Sequence, residues 1–316
     1  LAGTETLTLA QANAMIASDT GFGDGAYSAS YLNKSGSEAF LDTTIRFGIE
    51  VPVTTERLVN VDPETGSISE SSRLVAPTLV SKPIVPTSNN TGSDETLIGS
   101  GDLNFKYQFI DASHVNADAD GLVTETFALG ELSLASNGQL SARALAEYFN
   151  AELDAQGISD LAASAVTRVV ASEIDLDRSL SINGTEITLY STMDLAEAIA
   201  AINSASSATN VKAGWFGESG IALTNTSGYE GDNIVLGAPA VLDQISALGL
   251  VPGTYSGTYE LSVTGVDSAT NRPSIESFGF ELSASGTPSD LGRLGLKTQL
   301  LIDGNSPDDL AVFVTG

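Results

Sequence analysis

The run Ser181-Ile182-Asn183-Gly184-Thr185-Glu186-Ile187-Thr188-Leu189, continued by Asp194-Leu195-Ala196-Glu197-Ala198-Ile199-Ala200-Ala201-Ile202-Asn203, decides the fold class of this chain. Its first half alternates apolar and polar residues around Asn183-Gly184, a dipeptide suited to the two positive φ angles of a tight hairpin. Its second half changes period. Leu195, Ala198, Ile199 and Ile202 fall at i, i+3, i+4 and i+7, the apolar stripe of a helix lying on a sheet. The spacing predicts a helix over 193–205, started by Ser191 or Thr192 ahead of Asp194. Asn203 is expected to end it, because an amide side chain tolerates αL geometry. Asn183, Gly184, Leu195, Ile199, Ile202 and Asn203 thus form a structural motif, in which no residue is a catalytic group.

A similar unit lies upstream. Ala142, Leu145, Ala146 and Phe149 give one apolar face to a helix predicted over 141–153, with Ser141 as its N-cap. Aligned at Asn150 and Asn203, the faces match position for position: Ala142 with Leu195, Leu145 with Ala198, Ala146 with Ile199, Phe149 with Ile202. The two strand–helix–strand units fall at 131–176 and 180–237, and a duplicated brick of this kind serves building more often than catalysis.

Further out, short alternating runs at 44–53, 102–110, 179–189, 256–263 and 277–282 read as half-buried strands. Turn residues such as Gly231-Asp232-Asn233 and Val251-Pro252-Gly253 fall between them. The expected fold is mainly β with a few helices (α+β), in two or more β-rich lobes with helices packed on small sheets. Residues 1–125 are expected to form one β-rich domain and 126–316 another. Within the first, 62–101 carries Pro63, Pro77, Pro83 and Pro86 and reads as an extended arm, either an interdomain linker or a protruding loop.

The chain has 316 residues, and 42% hydrophobic content is enough to build packed cores. Asp and Glu number 40 against 13 Lys and Arg, a formal net charge of −27. A surface this acidic repels nucleic acid and anionic lipid, so neither is an expected partner. With no cysteine, disulfides, thiolate nucleophiles and zinc–thiolate sites are excluded; His114 is the sole histidine. No apolar run reaches the ~18–20 residues of a membrane span. Leu1-Ala2-Gly3 shows neither a starting Met nor a signal pattern, and the chain reads as part of something longer.

Asn116-Ala117-Asp118-Ala119-Asp120-Gly121 has the alternating oxygens of half a calcium loop. Phe127 stands where a bidentate Glu is needed, so an ordinary acidic turn is the expected reading of Asn116, Asp118 and Asp120; an atypical site would recruit Asp111 and Glu125. The carboxylate pairs Asp175/Asp177 and Asp308/Asp309 read as solvated charges, and Gly21-Phe22-Gly23-Asp24-Gly25 as a turn. Trp215 and Phe216 are expected to pack on a hairpin rather than to form an exposed binding pair. No catalytic residue, metal or cofactor is expected.

Residues 180–237, with Ala201-Ile202-Asn203, Val211-Lys212-Ala213, Gly220-Ile221-Ala222-Leu223-Thr224-Asn225 and Gly231-Asp232-Asn233-Ile234-Val235, resemble the flagellin IN motif. That motif occurs in the outer domains of bacterial flagellins, hook proteins and hook-associated proteins. Leu294-Gly295-Leu296 and Ala247-Leu248-Gly249-Leu250 resemble segments that end such modules. The resemblance implies a structural, non-enzymatic part: the exposed central region of a flagellar axial subunit, exported unfolded to the extracellular flagellum. Its partners would be copies of itself and neighbouring axial proteins, engaged through helical termini, and this region alone would be monomeric. The alternative is a secreted adhesin or other surface β-module, with calcium as a possible ligand.

Overall fold

In a computed structural model, the described residues are 28–33, 44–61, 67–90, 92–136, 138–171, 180–237, 251–268, 270–303 and 310–315. Strands dominate them, in several small antiparallel sheets, with four helices among the described residues. These are α1 (Ala142–Ala155), α2 (Leu195–Ser204), α3 (Ser206–Thr209) and α4 (Pro288–Arg293). The fold is mainly β with few helices, as the alternation of the sequence implies.

Two apolar cores organise it. The first joins a five-stranded sheet to a three-stranded one. In the larger sheet the order is Gln299–Asp303, Thr44–Pro52, Ser277–Leu282, Leu103–Ile110, Leu122–Ala128; in the smaller it is Leu161–Val166, Thr258–Val263, Thr78–Val80. Helix α1 packs on the smaller sheet through Leu145, Ala146, Phe149 and Leu153, all buried. Phe149 ties the layers together: its ring centroid lies 5.2 Å from Tyr259 and 5.3 Å from Phe280, and Phe280 is 5.2 Å from Phe105. Such offset and edge contacts add to the burial of large rings.

The second core is smaller. Val169, Ile182, Ile202, Val211, Ile221, Leu223 and Ile234 fill it. One sheet runs Arg168–Ala171, Gly220–Asn225, Val211–Phe216; the other runs Thr185–Ile187, Leu180–Ile182, Ile234–Gly237, Gly253–Tyr255. Ala198 and Ile202 of α2 are fully buried, with Leu195 and Ile199 partly buried against the same cluster. The stripe at i, i+3, i+4 and i+7 is therefore the buried face.

The first core takes residues from both sides of position 125, and from both sides of the second core. The chain leaves it through Thr167 and returns through Ser256-Gly257, where Val166 and Thr258 are still paired across the ladder. The second lobe is thus an insertion carried on two adjacent antiparallel strands.

Local chemistry explains most boundaries. Asn183 and Gly184 have φ of 49° and 81° and close the hairpin between Leu180–Ile182 and Thr185–Ile187, with Ile182 opposite Thr185. Ser141 caps α1 by accepting from the Ala144 amide at 3.2 Å. Asp194, and not Ser191 or Thr192, caps α2. Its carboxylate accepts from the Glu197 amide at 2.8 Å, and Glu197 accepts from the Asp194 amide at 3.0 Å, a reciprocal capping box. Asn203 does not end the helix: it lies in the last turn, and Ala205 is the C-cap.

The proline-rich stretch divides into distinct pieces. Thr54–Val61 and Ile68–Val75 pair as a solvent-exposed ribbon, crossed by the ion pairs Arg57–Glu70 and Arg73–Glu56. Between Pro77 and Pro83, Thr78–Val80 is an edge strand of the smaller sheet of the first core, the position that proline permits. Ile84 is buried, and buried Asn89 donates to the carbonyls of Ser93 and Leu134 at 2.7 and 2.9 Å. Pro63, Gly21–Gly25, Asp175, Asp177, 247–250, Asp308 and Asp309 lie outside the described residues.

Candidate functional site

The acidic loop folds on itself. Asp118 accepts from the amides of Asp120 and Leu122 at 2.9 and 2.8 Å, and Asp111 accepts from the Ser113 amide and hydroxyl at 2.9 and 2.6 Å. The Ser113 hydroxyl bond, followed by its amide, holds the Asp111 carboxyl below the usual carboxylate range. These are Asx turns, in which side-chain oxygens hold backbone donors. His114 accepts from the Asn116 amide at 3.2 Å through Nδ1, presents Nε2 to Glu125 at 3.9 Å, and meets the Phe109 ring edge-on at 6.0 Å. No set of three or more metal-ligating His, Asp or Glu side chains occurs among the described residues.

Trp215 stands exposed, while the Phe216 ring lies across its cross-strand partner Gly220 in the hairpin. They are 57% and 38% exposed, with the Arg168 guanidinium 5.4 Å from the Phe216 ring centroid. Trp215 shares the strand parity of buried Val211 and Ala213, so the cover over that face ends before it is reached.

The asparagine of each unit has a definite task. Asn150 accepts from the Ala163 amide at 2.8 Å and donates to the Ala163 carbonyl at 2.9 Å. Asn203 does the same to Ala213, at 2.8 and 3.1 Å. Both alanines lie on edge strands, Leu161–Val166 and Val211–Phe216, so each carboxamide satisfies the outward backbone pair that no neighbouring strand takes.

Where the lobes meet, the loop ending in Asn233 docks on the start of α1. The Arg143 amide donates to the Gly231 carbonyl at 3.2 Å, the Arg143 guanidinium to Asp232 at 3.2 Å, and Asn233 to the Leu140 carbonyl at 2.8 Å. Gly231 has φ of 85°, and a Cβ there would meet Ala165 and approach the Arg143 amide nitrogen to 2.8 Å, so only glycine fits.

This junction borders a polar cavity of about 220 Å³, lined by Gln139, Ser141, Asn183, Asn210, Asn225, Asp232 and Asn233. Asn183 is spent on structure, accepting from Val235 and donating to Thr209, both at 2.7 Å. Asn225 is different: it is 5% exposed, and neither its Oδ1 nor its Nδ2 has a hydrogen-bond partner; the Oδ1 of buried Asn233 is also unpartnered. A buried amide left this way costs about 1–3 kcal/mol; the hydroxyls of Thr167, Ser256 and Ser274 are likewise buried without a partner among the described residues.

The sequence motif reached this place only through Asn183. Asn210, Asn225 and Asn233 are scattered over the chain and come together only through the pairing of Val211–Phe216 with Gly220–Asn225 and the docking of the Asp232 loop. Compared with known proteins, the chain matches no family model and no curated protein. No helix among the described residues is long and apolar enough to cross a membrane.

Proposed function

We propose that the chain is a structural part of the bacterial flagellum, the surface-exposed central region of a hook, hook-associated or flagellin-type subunit. The observation that carries this reading is the resemblance of 180–237 to the flagellin IN motif, in a segment whose hairpin, helix and asparagine all serve the backbone. The paired Asn150 and Asn203 clamps support it, since a repeated structural device suits a modular building protein. The acidic surface supports a role at an extracellular assembly, where projecting domains must not adhere to one another. Neighbouring axial proteins and further copies are its partners, and its chemistry is assembly rather than catalysis.

Immunogold electron microscopy with antibodies against this chain tests the proposal on cells that produce it. Gold on the hook, the hook–filament junction or the filament is the expected result. Labelling confined to another surface structure would overturn it in favour of a surface β-module with an adhesive role.

A further inference from the structure

We propose that the exposed ribbon of Thr54–Val61 and Ile68–Val75 is a docking edge for a second copy of this chain. The two copies join antiparallel along Ile68–Val75, about a two-fold axis at Ser71, into one four-stranded sheet. The inference rests on the ribbon alone and not on the flagellar reading. Every residue of Ile68–Val75 is exposed, and among the described residues its only strand partner is Thr54–Val61. Asn150 and Asn203 close the outward backbone of two other edge strands, and no such clamp is made to this one among the described residues. A two-stranded ribbon is marginally stable by itself in water, and its open edge is a template for a further strand.

The residues of the strand select its own copy as the occupant. A two-fold antiparallel pair sets one residue opposite itself, so few registers exist. Centring on Glu70 or Arg73 brings like charges face to face, and centring on Ser72 sets Glu70 against Leu74. Centres nearer either end leave most of the strand unpaired. Centring on Ser71 sets Ile68 opposite Leu74, Ser69 opposite Arg73 and Glu70 opposite Ser72. Apolar side chains then meet each other and each charge meets a hydroxyl, the pairs that stabilise a sheet.

Charge permits the approach. The two strands carry Glu56 and Glu70 against Arg57 and Arg73, a net charge of zero in a chain of net −27. The ion pairs Arg57–Glu70 and Arg73–Glu56 neutralise the ribbon within each copy. Val59, Ile68 and Leu74 share one of its faces, at 56%, 67% and 37% exposure, and pairing covers Ile68 and Leu74 against one another. An edge of eight residues falls in the weak class of interfaces, below about 1,200 Å². The chain therefore stays monomeric at micromolar concentration and pairs where an assembly holds copies at an effective concentration of about 1 mM.

The absence of cysteine makes the test direct. Ser71→Cys places two thiols opposite each other on the axis, where facing Cα atoms lie about 4.5–5.5 Å apart, within disulfide reach. The whole chain is oxidised at about 1 mM in about 1 M salt, where the Debye length is ~3 Å and repulsion is screened. Disulfide-linked dimer should form about tenfold faster than for Val115→Cys, which is 92% exposed in the acidic loop and reports random collision. Leu58→Cys, opposite Ser71 but one strand further from the axis, should link no faster than that control. Sedimentation equilibrium under the same conditions should show a dimer of the parent chain. Ser71→Lys sets like charges on the axis and should abolish it, and mixing Ser71→Lys with Ser71→Glu should restore it. Ser71 is exposed, so these variants keep the fold. The proposal is overturned if Ser71→Cys links no faster than Val115→Cys, if Leu58→Cys links as fast as Ser71→Cys, or if the parent stays monomeric. It is equally overturned if Ser71→Lys pairs as the parent does or the mixture fails to restore the dimer.

Discussion

Asn150 and Asn203 make the same two hydrogen bonds, each to the amide and carbonyl of one alanine on the edge strand beneath its helix. The geometry gives a sharp substitution test. Asn150→Asp or Asn203→Asp keeps the acceptor but turns the donor into a second oxygen facing the alanine carbonyl. Each should cost about 1–3 kcal/mol in urea unfolding, with Asn203→Asp loosening the second core and Asn150→Asp the first. An unchanged midpoint for either would mean that its clamp adds nothing to stability.

The buried face of α2 predicts a contrast between two aspartates. Ile202 is fully buried, so Ile202→Asp should destabilise the second lobe by about 3–5 kcal/mol through an unpaired charge and a lost side chain. Ala200 lies on the exposed side, and Ala200→Asp should stay within about 0.5–1 kcal/mol. Thermal melts of the two variants separate these outcomes, and equal melting temperatures would refute the assigned face.

Alkaline pH should unfold the first core. Burial raises the phenols of Tyr148 and Tyr259, which donate to the carbonyls of Gly130 and Leu294, both at 2.8 Å. A folded pKa above the unfolded value of about 10 means that the stabilisation is complete below pH ~10 and is lost as pH rises beyond it. The slope is about 1.4 kcal/mol per pH unit for each tyrosine. Circular dichroism of unfolding from pH 9 upward should show stability falling in that range; a flat profile through it would contradict the burial of both hydroxyls.

Sedimentation velocity addresses self-association. The acidic surface should keep copies of this chain apart at low salt, where the Debye length is longest, and the chain should remain monomeric at micromolar concentration. A salt-resistant oligomer would show that these lobes carry assembly contacts themselves.

Local patterns carried the sequence reading where chemistry is local. The stripe through Ala198 and Ile202 and the Asn183-Gly184 turn are legible because helix period and turn type act over a few residues. Asp194 was obscured by its polar neighbours Ser191 and Thr192, and the reciprocal bond with Glu197 distinguishes it. The task of Asn203 was hidden because its partner, Ala213, belongs to another element. The same limit hid the cavity. Asn225 looks like any strand-end asparagine until the Asp232 loop docks on α1, and Thr78–Val80 gives no sign of its partner Thr258–Val263, far along the chain. Trp215 follows the alternation that buries Ala213, and only the extent of the covering layer exposes it.

The attachment of the second lobe has a mechanical meaning. Both connecting strands pass side by side at Val166 and Thr258, while Thr44–Pro52 and Gln299–Asp303 are neighbours in the large sheet of the first core. A pull on the chain outside those two strands loads the first sheet, and the inserted lobe hangs from the loaded body without lying in the line of force. It is strained only after the Val166–Thr258 ladder tears. The inserted lobe, held by its two connecting strands and by the docked 231–233 loop, therefore keeps its own fold while the body that carries it bears the tension.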